Sequence, residues 1–242
     1  MRIEKIVWVL LFVSLLMYGL DYIIFRRGNE IAFGFVGNLA FLPVYVLFVT
    51  VMIEQVFKER EREAIRQKLN MVIGVFFSEV GTKLLRDCFG FVINCTALPS
   101  RLKVTTHWTE HDFKNAADYL QTHDIALDSR HGDLPALKLF LIEKKEFMLT
   151  LLENPNLLEH NAFTDLLWAV FHLIEELDAR KSLIGLPSTD MDHLSGDIKR
   201  AYVNLLREWV VYMSHLHKDY PYLFSLAVRT NPMNPDAKVE IS

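Results

Sequence analysis

Two apolar runs open the chain, residues 6–25 and 31–53, with the short polar link 26–30 between them. At about 1.5 Å of rise per helical residue, either run is long enough to cross a hydrocarbon core of about 30 Å. The pattern predicts a transmembrane helical hairpin over residues 1–53. A cleaved leader is the competing reading, but no small-x-small pair follows the first run at the right place, and the apolar stretch continues past Asp21.

From Glu54 the pattern changes to helical spacing with polar faces. A charged run, 58–68, alternates acids and bases, as a solvated helix surface does. An apolar stripe follows at Ile65, Leu69, Val72, Phe76 and Val80. This predicts a juxtamembrane stalk helix over 54–97, its stripe free either to self-associate or to bury against the chain's own domain. Gly74 and Gly81, seven apart, face a packed neighbour.

Pro99 and Ser100 interrupt the pattern within 98–107, the best internal boundary, and a helical bundle is expected over 98–230. Its helices are placed at about 110–122, from Asp133 to Asn154-Pro155, at 161–184 before Gly185 and Pro187, and at 190–217. The last has the clearest period, through Leu194, Ile198, Ala201, Leu205, Trp209, Tyr212 and Leu216. A short apolar piece follows at 222–228, and 231–242 reads as a disordered tail. Strand signals are confined to 91–93 and 104–106. The fold class is therefore all-α: a two-helix hairpin followed by a cytosolic multi-helix bundle.

Charge adds sidedness. Arg2 and Lys5 precede the first run and five bases lie within 58–68, against Arg26 and Arg27 in the link. That imbalance predicts two spans in the cell membrane with both termini cytoplasmic. Within the spans, Gly34 and Gly37 allow another helix to approach, and Tyr18 is expected to hydrogen-bond Asn38 across the hairpin. The formal net charge of −4 gives nucleic acid no foothold. Cys88 and Cys95 would lie about 10.5 Å apart along a helix, too far to pair, and read as free thiols.

Candidate chemistry is sparse. His107-Trp-Thr-Glu110-His111 resembles the H-x-x-E-H pattern of inverted zinc metallopeptidases. The resemblance implies that His107 and His111 hold a metal, Glu110 activates its water, and Glu175 or Glu176 supplies a further ligand. Local physics points elsewhere: Thr109 and Asp112 read as a capping box, with Trp108 and Phe113 as its hydrophobic staple. The helix would then begin between the histidines and separate them. His172 with Glu175 and Glu176 has metal-like spacing, but a helical wheel turns His172 away from the apolar stripe of Phe163, Val170 and Ile174, so it reads as solvent-exposed. His215 and His217 read as surface groups. Asp124, Asp128 and Asp133 lack calcium-loop spacing, and no phosphate-binding or nucleophile-elbow motif occurs.

No catalytic residue and no cofactor is assigned on these grounds. The reading is a membrane-anchored cytosolic helical domain that serves as a non-enzymatic interaction, scaffold or signalling module. Its partners would be the lipid bilayer and either a protein or a second copy. The alternatives are a membrane-tethered zinc hydrolase centred on 107–111 and a small transport or channel subunit.

Overall fold

The computed structural model describes all residues except 1, 27, 95–96, 156, 158–159, 235–236 and 241–242, and gives the backbone alone at 2–7, 10–11 and 25. Cys95 lies outside the described residues. The architecture is all-helical. Among the described residues the extended pairing is a single antiparallel bridge, Val92 to Leu127, where the first strand signal fell.

Helix α1 (Arg2–Phe25) ends at Arg26, which takes a left-handed backbone (φ 50°) and bonds its N–H to the Tyr22 carbonyl at 2.9 Å. Helix α2 (Gly28–Phe76) then runs 49 residues without a break. A chain of this kind divides into two units, Met1–Glu63 and Ala64–Ser242, and the division falls inside α2. Where the sequence pattern predicts two spans, 6–25 and 31–53, the described residues hold one helix long and apolar enough to cross a membrane. Its most apolar window has a mean hydropathy of 2.2 and no buried residue. In the first unit Tyr18 meets Phe35 edge-on, centroids 6.2 Å apart, and forms no hydrogen bond with Asn38. A Cβ at Gly34 or Gly37 would meet nothing within 4 Å.

The second unit begins by taking the stripe of α2 into its own core: Leu69, Ile73 and Phe76 are buried, and Phe76 abuts Phe163 edge-on at 5.3 Å. One π-helical turn, Phe77–Gly81, follows. The extra residue turns Phe77 inward to stack on Tyr212 at 4.8 Å, and the Thr82 hydroxyl donates to the Phe77 carbonyl. Gly81 is required here, since a Cβ would come within 2.5 Å of the Phe77 ring. Gly74 faces Tyr212 at ordinary contact distance.

Helix α3 (Thr82–Phe89) leads to α4 (Leu98–Leu102), which occupies the stretch read as a break; Pro99 sits in its first turn, where its missing N–H costs nothing. Then come α5 (Glu110–Thr122), α6 (Leu134–Glu143), α7 (Lys145–Leu152), α8 (Asn161–Ala179), α9 (Ser188–Asp219) and α10 (Pro221–Arg229). Helix α9 is the axis: α8 lies along it, and α5, α10 and α3 pack around it. Its apolar period buries Tyr202, Leu205, Leu206, Trp209 and Met213.

Three boundaries differ from the sequence reading. The helix begun at Asp133, whose carboxylate caps Ala136 N–H, breaks at Lys144, and both halves pack on α8. Helix α8 stops at Ala179 rather than 184, because the Arg180 side chain turns to Glu176 and Asp190. The tail starts docked: Asn231 and Met233 are buried, and the Asn231 amide donates to the Leu102 carbonyl at 3.2 Å.

Candidate functional site

The H-x-x-E-H stretch does not converge. Helix α5 starts at Glu110, where Thr109 and Asp112 form the capping box: Asp112 Oδ2 accepts from the Thr109 N–H at 2.8 Å and its hydroxyl at 2.7 Å. The Thr109 N–H is the main reason the Asp112 carboxyl is held below its ordinary range. Trp108 closes on Phe113 at 5.0 Å, completing the staple. His107 is left in the preceding turn, and His107, Glu110 and His111 are all exposed. The local capping interactions explain this, since they place the N-cap at Thr109 and start the helix at Glu110.

Titratable side chains converge instead between α8 and α9. His172 and Glu176 lie one turn apart on α8, and His193 and Asp197 one turn apart on α9. The antiphase of the two pairs closes a ring. His172 Nε2 is 3.8 Å from Glu176 Oε1 and 3.6 Å from Asp197 Oδ1. His193 Nε2 is 3.6 Å from Glu176 Oε2 and 3.2 Å from Asp197 Oδ2. Each carboxylate therefore lies between both imidazoles. Ligand atoms of His172, Glu176 and Asp197 fall within 4.8 Å of one another, close enough to share one ion.

Two arginines hold the ring's carboxylates from outside. Arg180 Nη1 donates to Glu176 Oε2 at 2.7 Å, and Arg200 Nη1 to Asp197 Oδ1 at 3.2 Å. The Arg180 bond is the first cause that keeps the Glu176 carboxyl below its usual range. Asp197 is 2% exposed and its Oδ2 has no hydrogen bond, although His193 Nε2 stands only 3.2 Å away. The two atoms are near but not aligned as donor and acceptor.

The helical wheel of α8 turns His172 to solvent and offers Glu175 and Glu176 as its neighbours. His172 is in fact half-buried, and Glu175, its other suggested partner, is exposed. The missing half comes from α9. The available signal was a second i, i+4 pair, His193 and Asp197, beside the first. The two other histidines read as surface groups are also packed: His215 bonds Asn70 and pairs with Asp219 at 2.9 Å, and His217 meets the Phe224 ring at 5.0 Å. Cys88 is fully buried, and that burial pushes its thiol far up, which makes it inert. Asp128 is engaged by Arg130, which also reaches Asp192 at 2.6 Å.

A groove of about 520 Å³ opens elsewhere in the second unit, lined by Met71, Val75, Tyr212, Leu223 and Leu226 among others.

Comparison with known proteins places these features in a frame. The model described as "Uncharacterized protein MJ1433, C-terminal helical domain" matches residues 65–229, and "MJ1433, N-terminal helical domain" matches residues 3–57. The chain is 42% identical over 226 residues to Uncharacterized protein MJ1433 of Methanocaldococcus jannaschii, covering 93% of this chain and 90% of that protein. No solved structure matches.

Proposed function

The chain belongs to the MJ1433 family, with an N-terminal and a C-terminal helical domain, and from that premise we propose that the two divide anchoring from binding. The N-terminal part forms a two-span hairpin in the cell membrane, both termini cytoplasmic. The C-terminal part is a non-enzymatic helical interaction module held at the cytoplasmic face.

The observation that carries this reading is the state of α2. Its apolar window is wholly exposed, and large side chains such as Phe33 (84%) and Phe48 (71%) stand in the open. A soluble fold does not leave so long an apolar surface uncovered, whereas lipid covers it at no cost. The bases that follow at 58–68 suit an anionic inner leaflet. The partner in this reading is a second copy. Helix α2 carries both open features: space at Gly34 and Gly37, and Met71 and Val75 exposed at the groove's rim.

The test uses the full chain expressed in cells. It should sediment with membranes and resist extraction until detergent is added. A reporter inserted after Arg27 should be active outside, and one fused after Ser242 inside. Chemical crosslinking in those membranes should give a dimer. Recovery in the supernatant without detergent overturns the anchor, and an exclusively monomeric crosslinking pattern overturns the self-association.

A further inference from the structure

The geometry points to a divalent transition-metal site between α8 and α9, held by His172, Glu176, His193 and Asp197. It stands on the second unit alone and does not depend on the membrane reading.

Four observations carry it. The first is spacing. Nitrogen and oxygen ligands about 2.1 Å from one ion stand about 3.0 Å apart at right angles and about 3.4 Å apart at the tetrahedral angle. His172, Glu176 and Asp197 each offer one ligand atom within 4.8 Å of the other two, and His193 Nε2, 3.2 Å from Asp197 Oδ2, joins them by a rotation of its exposed ring.

The second is direction. Asp197 Oδ2 is buried and unbonded beside His193 Nε2. With no hydrogen bond to claim it, that oxygen keeps a lone pair available to a cation. A buried carboxylate oxygen without a partner is otherwise expensive.

The third is orientation. Arg180 and Arg200 each take one oxygen of a carboxylate, Oε2 of Glu176 and Oδ1 of Asp197. That leaves Oε1 and Oδ2 to the ring and fixes how they point, the part outer partners play in metal sites.

The fourth is charge. Arg180 also binds Asp190. Two guanidiniums against three carboxylates leave the group one negative charge with neutral imidazoles, so a dication enters an attractive field.

Two imidazole nitrogens and two carboxylate oxygens, with no thiolate, suit Zn²⁺, Mn²⁺, Fe²⁺ or Co²⁺ and not a soft cation such as Cu⁺. Four protein donors close a tetrahedral shell, so the ion acts as a clip. It ties α8 to α9 across the connection 180–187, at the rim of the bundle where His172 and His193 remain accessible.

The test is titration of the purified full-length chain, stripped with a chelator, with Zn²⁺, Mn²⁺ and Co²⁺ in turn. Calorimetry reads stoichiometry, and Co²⁺ also reports through its visible absorption. One equivalent of at least one cation should bind and raise the thermal midpoint by several degrees. His193→Gln, at a half-exposed position, should weaken binding at least about 100-fold with unchanged circular dichroism; Asp197→Asn should do the same. His111→Gln should leave binding intact. Absence of a stoichiometric site for any of the three cations overturns the inference. So does binding that survives His193→Gln, or that is lost in His111→Gln.

Discussion

Arg180 grips Asp190 with two parallel bonds, Nε to Oδ2 at 2.9 Å and Nη2 to Oδ1 at 2.6 Å. The same guanidinium holds Glu176, so one side chain both stops α8 and fastens it to the first turn of α9.

Replacing Arg180 by Ala should therefore cost about 1 kcal/mol at pH 7 in urea unfolding, nearer the value of a surface pair than of a buried one. The guanidinium is the leading cause that holds the Asp190 and Glu176 carboxyls below their usual range. Depressed carboxyls contribute stability above their unfolded value, about 4, and lose it as pH falls through the folded one. The gap between parent and variant should narrow below about pH 4. Arg180→Lys keeps the charge without the fork and should restore only part of the loss.

Glu208 has the opposite sign. It is 5% exposed, its Oε2 has no hydrogen bond, and burial pushes its carboxyl up, with His160 pulling it partly back. A raised carboxyl keeps its proton longer in the folded state, so it costs stability as pH rises from the unfolded value through the folded one. Glu208→Gln should be more stable than the parent by about 1 kcal/mol at pH 8, with the difference gone at pH 4. Thermal unfolding at both pH values checks this; a destabilised variant at pH 8 would refute it.

Helix α2 should respond differently along its length. Phe76 is fully buried between Phe77 and Phe163, so Phe76→Ala should cost about 4 kcal/mol. Phe48→Ala, in the exposed apolar stretch, should leave the unfolding of the second unit within about 0.5 kcal/mol. Urea unfolding followed by tryptophan fluorescence separates the two.

Shortening the chain should expose a sharp boundary. Ending it after Thr230 removes the Asn231–Leu102 bond and buried Met233 from beside Tyr202, and should cost about 2 kcal/mol. Ending it after Asn234 spares both and removes the exposed Arg229–Val239 bond, which should cost under about 0.5 kcal/mol by the same measurement.

Much of this protein was readable along the chain. Helix α5 has the bounds its signals predict, because capping box, staple and apolar face are all interactions within a few residues. Helix α9 announced itself through a long unbroken period for the same reason. The break at Lys144 and the early stop of α8 were not readable, since each depends on packing or pairing with a distant element. Arg180 looks like an ordinary helical residue until Asp190 is brought beside it.

What the sequence determined by itself was an all-helical chain with an apolar front and a periodic back, because helical periodicity and apolar length are local properties. Only the tertiary structure decided which polar groups meet. Helix α8 carries His172 and Glu176 on a flank that a single helical wheel assigns to solvent, and α9 covers that flank with His193 and Asp197. The coming together of two helix faces is a fact about their packing, and no period along either helix contains it.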